Sequence, residues 1–343
     1  MTINTQTQSR PSTSQRLHKL AAIGSNQSTI LVAVLVILVV VFTILEPKFL
    51  SAQTASNILT DWGSVVLIAV GMTYVIISGG IDLSVGATIA LSGVVAAWFM
   101  VDVLGLTPKA TGGEVVYGLV LGTIVAVLTG LAVGLVNGFL ITKAKIPPFI
   151  ATLATMGAGL GFAVIISTGM PIGGPNNFAL ISALNPATNP FSWALIAVLI
   201  VVIIAGLFLH KSKFGIYTYA IGSNSFAARG AGINVERHLV AIYVLSGALA
   251  GITGMYVYMR LGAGSPSSGT GRELDAIAAV VIGGASLMGG VGRIIGTVLG
   301  TLILFTVQSG LIMAGVAPDW KKVVVAVLIA VAVAAQTFNK KGR

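Results

Sequence analysis

The stretch VVYGLVLGTIVAVLTGLAVGLVNGFLIT, residues 115–142, decides the fold class of this chain. It carries no charged side chain, and it is longer than the roughly 20 apolar residues that a helix needs to cross a bilayer. Apolar residues run through it continuously, without the alternation of a membrane-spanning strand. The stretch therefore predicts an α-helical membrane span and excludes a β-barrel.

Small residues recur every fourth position along this span, and shorter series of the same kind occur near the C-terminus. Faces of this type let helix backbones approach closely in lipid, so the pattern predicts tight helix packing. A dimer interface or a moving contact stays open as the alternative. The three series are Gly118, Gly122, Ala126, Gly130, Gly134 and Gly138; Gly247 and Gly251; and Gly292, Gly296 and Gly300.

The composition of the whole chain agrees with a membrane protein. Of its 343 residues, 56% are hydrophobic and only 8% are charged, against about 25% in soluble domains. So few charges exclude an ordinary soluble enzyme, a disordered protein and a coiled coil. The net charge of +10 indicates membrane orientation rather than nucleic-acid binding, because the basic residues lie between apolar runs. The lack of cysteine excludes disulfides and thiolate chemistry.

Apolar runs of spanning length predict an all-α polytopic protein with about ten transmembrane helices. The limits inside 64–104 and 273–314 are the hardest to place, because glycine-rich breaks interrupt both regions. The predicted spans are 29–45, 64–79, 85–104, 115–142, 148–168, 191–209, 239–260, 273–292, 294–314 and 320–338.

Lysine and arginine in short loops set the predicted orientation. With ten spans, the tails 1–28 and 339–343, Lys143 with Lys145, and the loop 210–238 all fall on the cytoplasmic side of a bacterial inner membrane. The region 29–338 is then one transmembrane permease domain. Four basic residues oppose this orientation because they fall on the outer side: Arg260, Arg272, Lys321 and Lys322.

Two glycine-rich breaks resemble each other. GGIDLSVG (79–86) and GGASLMGG (283–290) share the pattern G-G-x-x-L-x-x-G, and each separates two apolar runs. Transporters often contain internal repeats with broken helices, although glycine-rich sequence in membranes can match by chance. Both breaks fall on the cytoplasmic side of the predicted topology, which favours a gate or a hinge.

Four polar residues are candidates for the translocation pathway or gate. Asp82 lies in the first break, where a carboxylate either caps the start of the next span or serves a gate. Asn137 either bonds a neighbouring helix or contacts a solute. Glu273 and Asp275 fit helix-start capping about as well as a solute contact.

The sequence contains no recognisable catalytic or metal-binding set. His18, His210 and His238 each lack a second ligand at helical spacing. There is no G-x-x-x-x-G-K-[ST] phosphate loop for ATP. A pump of this sequence would take its energy from a partner or an ion gradient, so an ion-coupled secondary sugar carrier is the main alternative. A membrane-embedded enzyme is disfavoured.

The loop 210–238, HKSKFGIYTYAIGSNSFAARGAGINVERH, is the longest predicted cytoplasmic loop. Asn224 or Ser225 can cap a short helix over 226–229, and Gly230 or Gly232 can end it. A short helix projecting from the membrane suits docking into a soluble partner. A solvated connector is the alternative.

Four motifs, in order along about residues 30–338, resemble the ribose-type sugar permeases of bacterial ABC importers. They are GMTYVIISGGIDLSVG, IPPFIATLATM, FGIYTYAIGSNSFAARGAGINV and ELDAIAAVVIGGASLMGG. Three residues depart from the pattern: Ile216 replaces a common Arg, Ser223 a common Gly, and Phe226 a common acidic residue. The last departure weakens any role that depends on an acid in the coupling motif.

The resemblance implies a permease subunit that translocates a monosaccharide, a pentose such as ribose or a similar sugar. A periplasmic sugar-binding protein delivers the sugar, and a second permease subunit, identical or paralogous, completes the pore. The chain itself binds no cofactor, because a separate cytoplasmic ABC ATPase uses the ATP and Mg. The residues implied in ATPase coupling are Gly222, Asn224, Ala227, Ala228 and Gly232.

Overall fold

The structure is a computed structural model that describes residues 27–106, 109–110, 112–174, 192–317 and 319–341. Residues 1–26 and 342–343 lie outside the described part, so most of the predicted N-terminal tail does as well. The described end of the predicted C-terminal tail, up to residue 341, is helical.

The described residues form twelve α-helices, with one 3₁₀ helix, one π-helix and a two-stranded antiparallel pair. The α-helices are α1 (Gln27–Leu45), α2 (Ala52–Ile77), α3 (Val85–Trp98), α4 (Gly112–Thr142), α5 (Pro148–Ser167), α6 (Trp193–Lys211), α7 (Lys213–Ser223), α8 (Ser225–Gly230), α9 (Val235–Leu261), α10 (Arg272–Ile282), α11 (Ile294–Met313) and α12 (Trp320–Lys341). The 3₁₀ helix is Pro47–Leu50, the π-helix is Phe99–Val103, and β1 (Ile172–Gly173) pairs with β2 (Ala263–Gly264).

The predicted all-α polytopic fold is confirmed. Eight described helical stretches are long and apolar enough to cross a membrane: α1, α2, α3 with the π-helix, α4, α5, α6, α9 and α11. The span predicted over 273–292 is different, because α10 ends at Ile282. Gly284 then takes the left-handed conformation (φ 88°) that stops the helix. The span predicted over 320–338 lies within α12.

The helix predicted over 64–79 begins much earlier, at Ala52. Ser51 accepts a hydrogen bond from the Thr54 backbone N–H at 3.2 Å and so caps the extra turns. The apolar pattern could not predict them, because five of the seven residues 51–57 are polar.

The series of small residues in α4 packs tightly on another helix, as predicted, and the structure shows that this helix is α9. A Cβ on Gly130 would meet the carbonyl oxygen of Gly247, and a Cβ on Gly134 would meet that of Tyr243. The two backbones therefore touch over the middle of both helices. This contact joins the two longest helices of the described chain into the centre of the bundle.

The other small residues have different neighbours. Gly122, near the N-terminal end of α4, packs on Met100 of the π-helix, so this part of the series does not reach α9. Gly296 and Gly300 pack on the backbone of Gly283 and Ala279, which brings α11 against α10. A series that is continuous in sequence thus serves two separate contacts.

Basic side chains collect at one end of the bundle, which we call the basic end. Lys143 and Lys145 follow α4, and both bond Glu236 at the start of α9, at 3.1 and 2.6 Å. Thr218 of α7 shares a hydrogen bond of 2.9 Å with His238 of α9, which places the 210–238 loop at the same end. The internal segments predicted to be cytoplasmic therefore lie together.

Candidate functional site

Three glycine-rich segments meet at the basic end. The Gly290 N–H donates to the carbonyl oxygen of Ile77, the last residue of α2, at 2.8 Å. A Cβ on Gly222 of α7 would meet that same Ile77 oxygen, and one on Gly289 would meet Gly79. The first break, the second break and α7 thus touch through their backbones. We call this contact the glycine junction.

A tyrosine fastens α7 to the second break beside the glycine junction. The Tyr219 hydroxyl donates to the carbonyl oxygen of Gly292 at 2.7 Å. Burial raises the pKa of Tyr219, and the nearby Arg293 opposes that rise. The hydroxyl therefore stays protonated at neutral pH and remains a donor.

The short helix predicted after Asn224 is present as α8. Asn224 caps it by accepting the Ala227 backbone N–H at 2.9 Å. Ala228 is buried against Ile221 of α7 and Val235 of α9. Asn224, Ala227 and Ala228 therefore set the position of α8.

Gly222 and Gly232 bound this segment. Gly222 belongs to the glycine junction, two residues before the Asn224 cap. Gly232 has φ 84°, a conformation that glycine adopts without strain, and the chain turns there towards α9. All five candidate coupling residues therefore lie between the junction and the start of α9.

A buried polar network holds the first break. One carboxylate oxygen of Asp82 accepts the Ser84 hydroxyl at 2.6 Å and the Ser84 backbone N–H at 3.0 Å. The other accepts the hydroxyl of Ser246 in α9 at 2.8 Å. Asp82 is only 1% exposed, and these three donors satisfy both of its buried carboxyl oxygens. Asp82 thus holds Ser84, the N-cap residue of α3. One of the two predictions had Asp82 cap the start of this helix, and the bond to Ser84 lies at that start.

Asn137 extends the network from α4 to two other helices. Its side-chain amide donates to the Ser84 hydroxyl at 2.8 Å, and its carbonyl oxygen accepts from Thr155 of α5 at 2.6 Å. Thr155 also lines a cleft of about 240 Å³ between α3, α4 and α5. The predicted helix-bridging role of Asn137 is therefore present, and the network ends at an open cleft.

Glu273 and Asp275 lie near the start of α10, and no hydrogen bond among the described residues joins either of them to this network. Both residues lie in the first turn of α10, and the Glu273 carboxylate accepts the backbone N–H groups of Gly271 and Glu273, as helix-start capping requires. The Glu273 carboxylate also lies against Gly86 in the first turn of α3. A negative charge is favourable at that helix start. Glu273 thus links α10, which precedes the second break, to α3, which follows the first break.

Charged residues at the other end of the bundle occur in pairs. Arg260 bonds Asp61 at 2.5 Å, and Arg272 lies 3.8 Å from Asp275. The Lys321 ammonium lies 5.6 Å from the centre of the Phe305 ring. Two of the basic residues that opposed the predicted orientation therefore each have a carboxylate beside them.

Asp275 also accepts from the Gln308 side chain at 3.3 Å. Gln308 is buried in α11, and its carbonyl oxygen has no hydrogen-bond partner among the described residues. The candidate pathway residues thus form two groups, with Asp82 and Asn137 in one and Glu273 and Asp275 in the other.

The sequence pattern missed the partners that complete these groups. Ser84, Ser246, Thr155 and Gln308 are single polar residues in apolar runs, and such residues also bond to their own helix backbone in many spans. Only the fold brings them to Asp82, Asn137 and Asp275. The helix α7 was also missed, because its FGIYTYAIG sequence lacks a clear helical period.

Comparison with known proteins identifies the kind of molecule. A family described as a branched-chain amino acid transport system permease component matches residues 54–333. The chain belongs to this permease family. No solved structure matches it.

Several relatives resemble this permease over most or all of their length. The ribose import permease protein RbsC of Bacillus subtilis is 42% identical over 300 residues, covering 87% of this chain and 89% of the relative. The xylose transport system permease protein XylH of Haemophilus influenzae is 34% identical, covering 95% and 100%. The inner membrane ABC transporter permease protein YjfF of Escherichia coli is 38% identical, covering 84% and 85%.

These findings confirm the predicted resemblance to ribose-type permeases of ABC importers. They also confirm a multi-pass inner-membrane protein that is a transport subunit rather than an enzyme. Membership implies a transport complex that includes an ATPase and a binding protein.

Proposed function

We propose that this permease forms the membrane path of an importer for a monosaccharide, a pentose such as ribose. The similarity to ribose import permeases over about nine-tenths of both chains carries the proposal. The region 29–338 serves as one permease domain. A second permease subunit completes the pore, a periplasmic binding protein delivers the sugar, and a cytoplasmic ATPase supplies the energy.

The coupling site is the segment from Gly222 to Gly232. Support comes from the glycine junction, where α7 touches both breaks through the backbone and so leaves no flexible side chain between them. A displacement of α8 by a docked ATPase would therefore reach α2, α3, α10 and α11 directly. The buried Ala228 keeps α8 attached to α7 and α9 during such a movement.

The gate is the first break with its polar network. Asp82 and Asn137 tie α3, α4, α5 and α9 together, so any opening between these helices has to rearrange their hydrogen bonds. The Tyr243 hydroxyl, which lies against Gly80, is buried without a hydrogen-bond partner among the described residues. An unsatisfied donor beside a break supports a second arrangement of this region.

Glu273 and Asp275 are proposed as polar contacts of the pathway in the other half of the bundle. The paired charges around Asp275 and the unsatisfied carbonyl oxygen of Gln308 supply donors and acceptors in an otherwise apolar region. Hydroxyl groups of a sugar can bond both kinds of group.

Reconstitution in lipid vesicles tests the proposal. The chain, its ATPase subunit and its binding protein are combined, and uptake of labelled ribose is measured with ATP inside or outside the membrane. We expect uptake that requires ATP on the ATPase side and requires the binding protein. Unlabelled xylose, arabinose and galactose, added as competitors, rank the sugars.

Two controls keep this test decisive. A catalytically inactive ATPase should abolish uptake while the complex still assembles. Uptake driven by a proton gradient, without ATP, ATPase or binding protein, would overturn the proposal in favour of an ion-coupled carrier. Transport in the outward direction only would identify an exporter.

A further inference from the structure

The two most exposed large apolar side chains among the described residues lie beside the glycine junction. Phe226 in α8 is 88% exposed, and Met288 in the second break is 80% exposed. Neither residue belongs to one of the long apolar helices that can cross a membrane. Single exposed apolar side chains are common on protein surfaces, but two of them beside one backbone junction make this region a candidate for a surface that a partner covers.

Both side chains belong to residues that lie close in sequence to the glycine junction. Met288 precedes Gly289, whose backbone lies against Gly222 and Gly79. Phe226 follows Gly222 by four residues, and the Asn224 cap fixes the helix that carries it. Met288 is thus one residue, and Phe226 four residues, from a residue of the glycine junction. One partner surface at the junction can therefore reach both.

The surroundings of these side chains are basic. The connecting segment 212–234 and the second break 283–293 contain no Asp or Glu. Lys213, Arg229 and Arg293 are exposed within these segments. The nearby Glu236 already bonds Lys143 and Lys145. A complementary partner therefore presents acidic groups around an apolar pocket.

A lipid surface fits this arrangement poorly. A helix that lies on a membrane buries a continuous apolar face. In α8, Phe226 is surrounded by exposed Ser225, Ala227, Arg229 and Gly230, so the helix has a single apolar anchor and no such face. One aromatic anchor within a polar rim is typical of a protein–protein contact.

We propose that Phe226 and Met288 are paired anchors by which this permease selects its ATPase subunit, whose facing surface is an apolar pocket with an acidic rim. This inference rests on the proposed function. It adds the second break to the docking surface and explains the departure at Phe226, where related sequences commonly carry an acid. An ATPase with a basic pocket for that acid would be a poor partner.

Through Met288, the second break would also contact the ATPase directly. Met288 lies in a turn that ends at Gly290, and Gly290 donates to Ile77 at 2.8 Å. A movement of the bound ATPase surface would thus act on the end of α2 through Met288 as well as through α8.

The affinity of the purified ATPase subunit for the full-length permease in lipid nanodiscs tests this inference. We expect Phe226→Ala to weaken binding at least tenfold and Met288→Ala severalfold, while Phe226→Leu retains most of the affinity. Arg229→Glu should slow association, most strongly at low salt. The matched control is Phe149→Ala, which removes an exposed phenylalanine at the start of α5, outside the anchor segments.

The outcomes separate this inference from the function on which it rests. If the unaltered chain binds no ATPase, the proposed function fails. If the unaltered chain binds but Phe226→Ala and Met288→Ala bind equally well, with unchanged thermal unfolding, the anchor inference is overturned. A loss of permease–permease association instead of ATPase binding, seen by mass measurement of the particles, would assign the surface to a second copy.

Discussion

The two glycine-rich breaks begin in the same way and continue differently. At the end of α2, the N–H groups of Gly79 and Gly80 donate to Ile76 and Val75, both at 2.9 Å. At the end of α10, Gly284 and Ala285 make the corresponding bonds to Val281 and Val280, at 2.9 and 3.1 Å. Both are the helix ending in which one left-handed glycine satisfies the last carbonyl groups.

The two breaks correspond in structure when the second is shifted by one residue relative to the shared pattern G-G-x-x-L-x-x-G. The motif aligns Gly79 with Gly283, whereas the helix endings align Gly79 with Gly284, with φ of 86° and 88°. Asp82 then corresponds to Leu287. The repeat is therefore present in the backbone, and the second break has an apolar residue where the first has its carboxylate.

The difference at this position decides how each break is held. Side chains from α4 and α9 hold the first break through Asp82 and Ser84. The second break is held mainly through its backbone: Ser286 N–H donates to Val291 and Gly289 N–H donates to Ser286, both at 2.9 Å, and Gly290 N–H donates to Ile77 at 2.8 Å. Side chains thus tie the first break to the bundle interior, whereas backbone bonds hold the second break and leave the Met288 side chain exposed.

The largest expected effect is that of Asp82→Leu, which removes the carboxylate from the first break. The buried donors of Ser84 and Ser246 would lose their acceptor, at a cost of about 1–3 kcal/mol each. We expect thermal unfolding in detergent at a clearly lower temperature and a loss of sugar uptake.

Leu287→Ala is the control at the corresponding position of the second break. Leu287 is half-buried, so its truncation should cost only about 1 kcal/mol of apolar contact. If Asp82→Leu and Leu287→Ala lowered the melting temperature equally, the two breaks would be held in the same way. The difference drawn above between the two breaks would then be wrong.

The next effect is that of Gly222→Ala, which tests the contact between α7 and both breaks. The added Cβ would collide with the Ile77 carbonyl oxygen and the Gly290 N–H, so α7 has to move away. We expect uptake to fall on the order of tenfold, the factor for about 1.4 kcal/mol, while the protein still folds. ATP hydrolysis by the complex should lose its stimulation by sugar and binding protein.

Gly161→Ala is the matched control for this variant. A Cβ at Gly161 in α5 meets nothing within 4 Å, so the same substitution adds no collision. Uptake should remain near that of the unaltered protein. If both variants lost uptake equally, the junction would have no special role.

The sequence predicted the long helices well and the contacts between them poorly. The run 115–142 identifies α4 almost to the residue, because a span is a local property of length and hydrophobicity. Asp82 and Asn137 were recognised as unusual for the same local reason. Their link through Ser84 depends on how α3, α4 and α9 pack, which no local pattern encodes. The repeat was recognised in the wrong register, because shared glycines mark the breaks without marking the residue that takes the left-handed conformation.

A smaller effect is expected when the helix-ending glycines are changed, Gly79→Ala and Gly284→Ala. A left-handed conformation costs a non-glycine residue about 1–2 kcal/mol. Because both glycines have nearly the same φ, the two variants should lose similar free energies of unfolding, measured by thermal or denaturant unfolding in detergent. A large loss at one position and none at the other would show that the helix endings are not equivalent.

The smallest effect is expected from Asp82→Asn, and it separates an anchor from a gating charge. The remaining carbonyl oxygen of the amide can still accept from Ser84, and the amide NH₂ can donate to the hydroxyl oxygen of Ser246. Stability should therefore change by about 1 kcal/mol or less if hydrogen bonding is the whole role. If the first break also acts as a gate that needs the negative charge, uptake should fall while the melting temperature stays nearly constant. If uptake and complex stability were both unchanged, Asp82 would have no role in gating. Its role would then be to hold the first break by hydrogen bonds, which Leu287 cannot do in the second break.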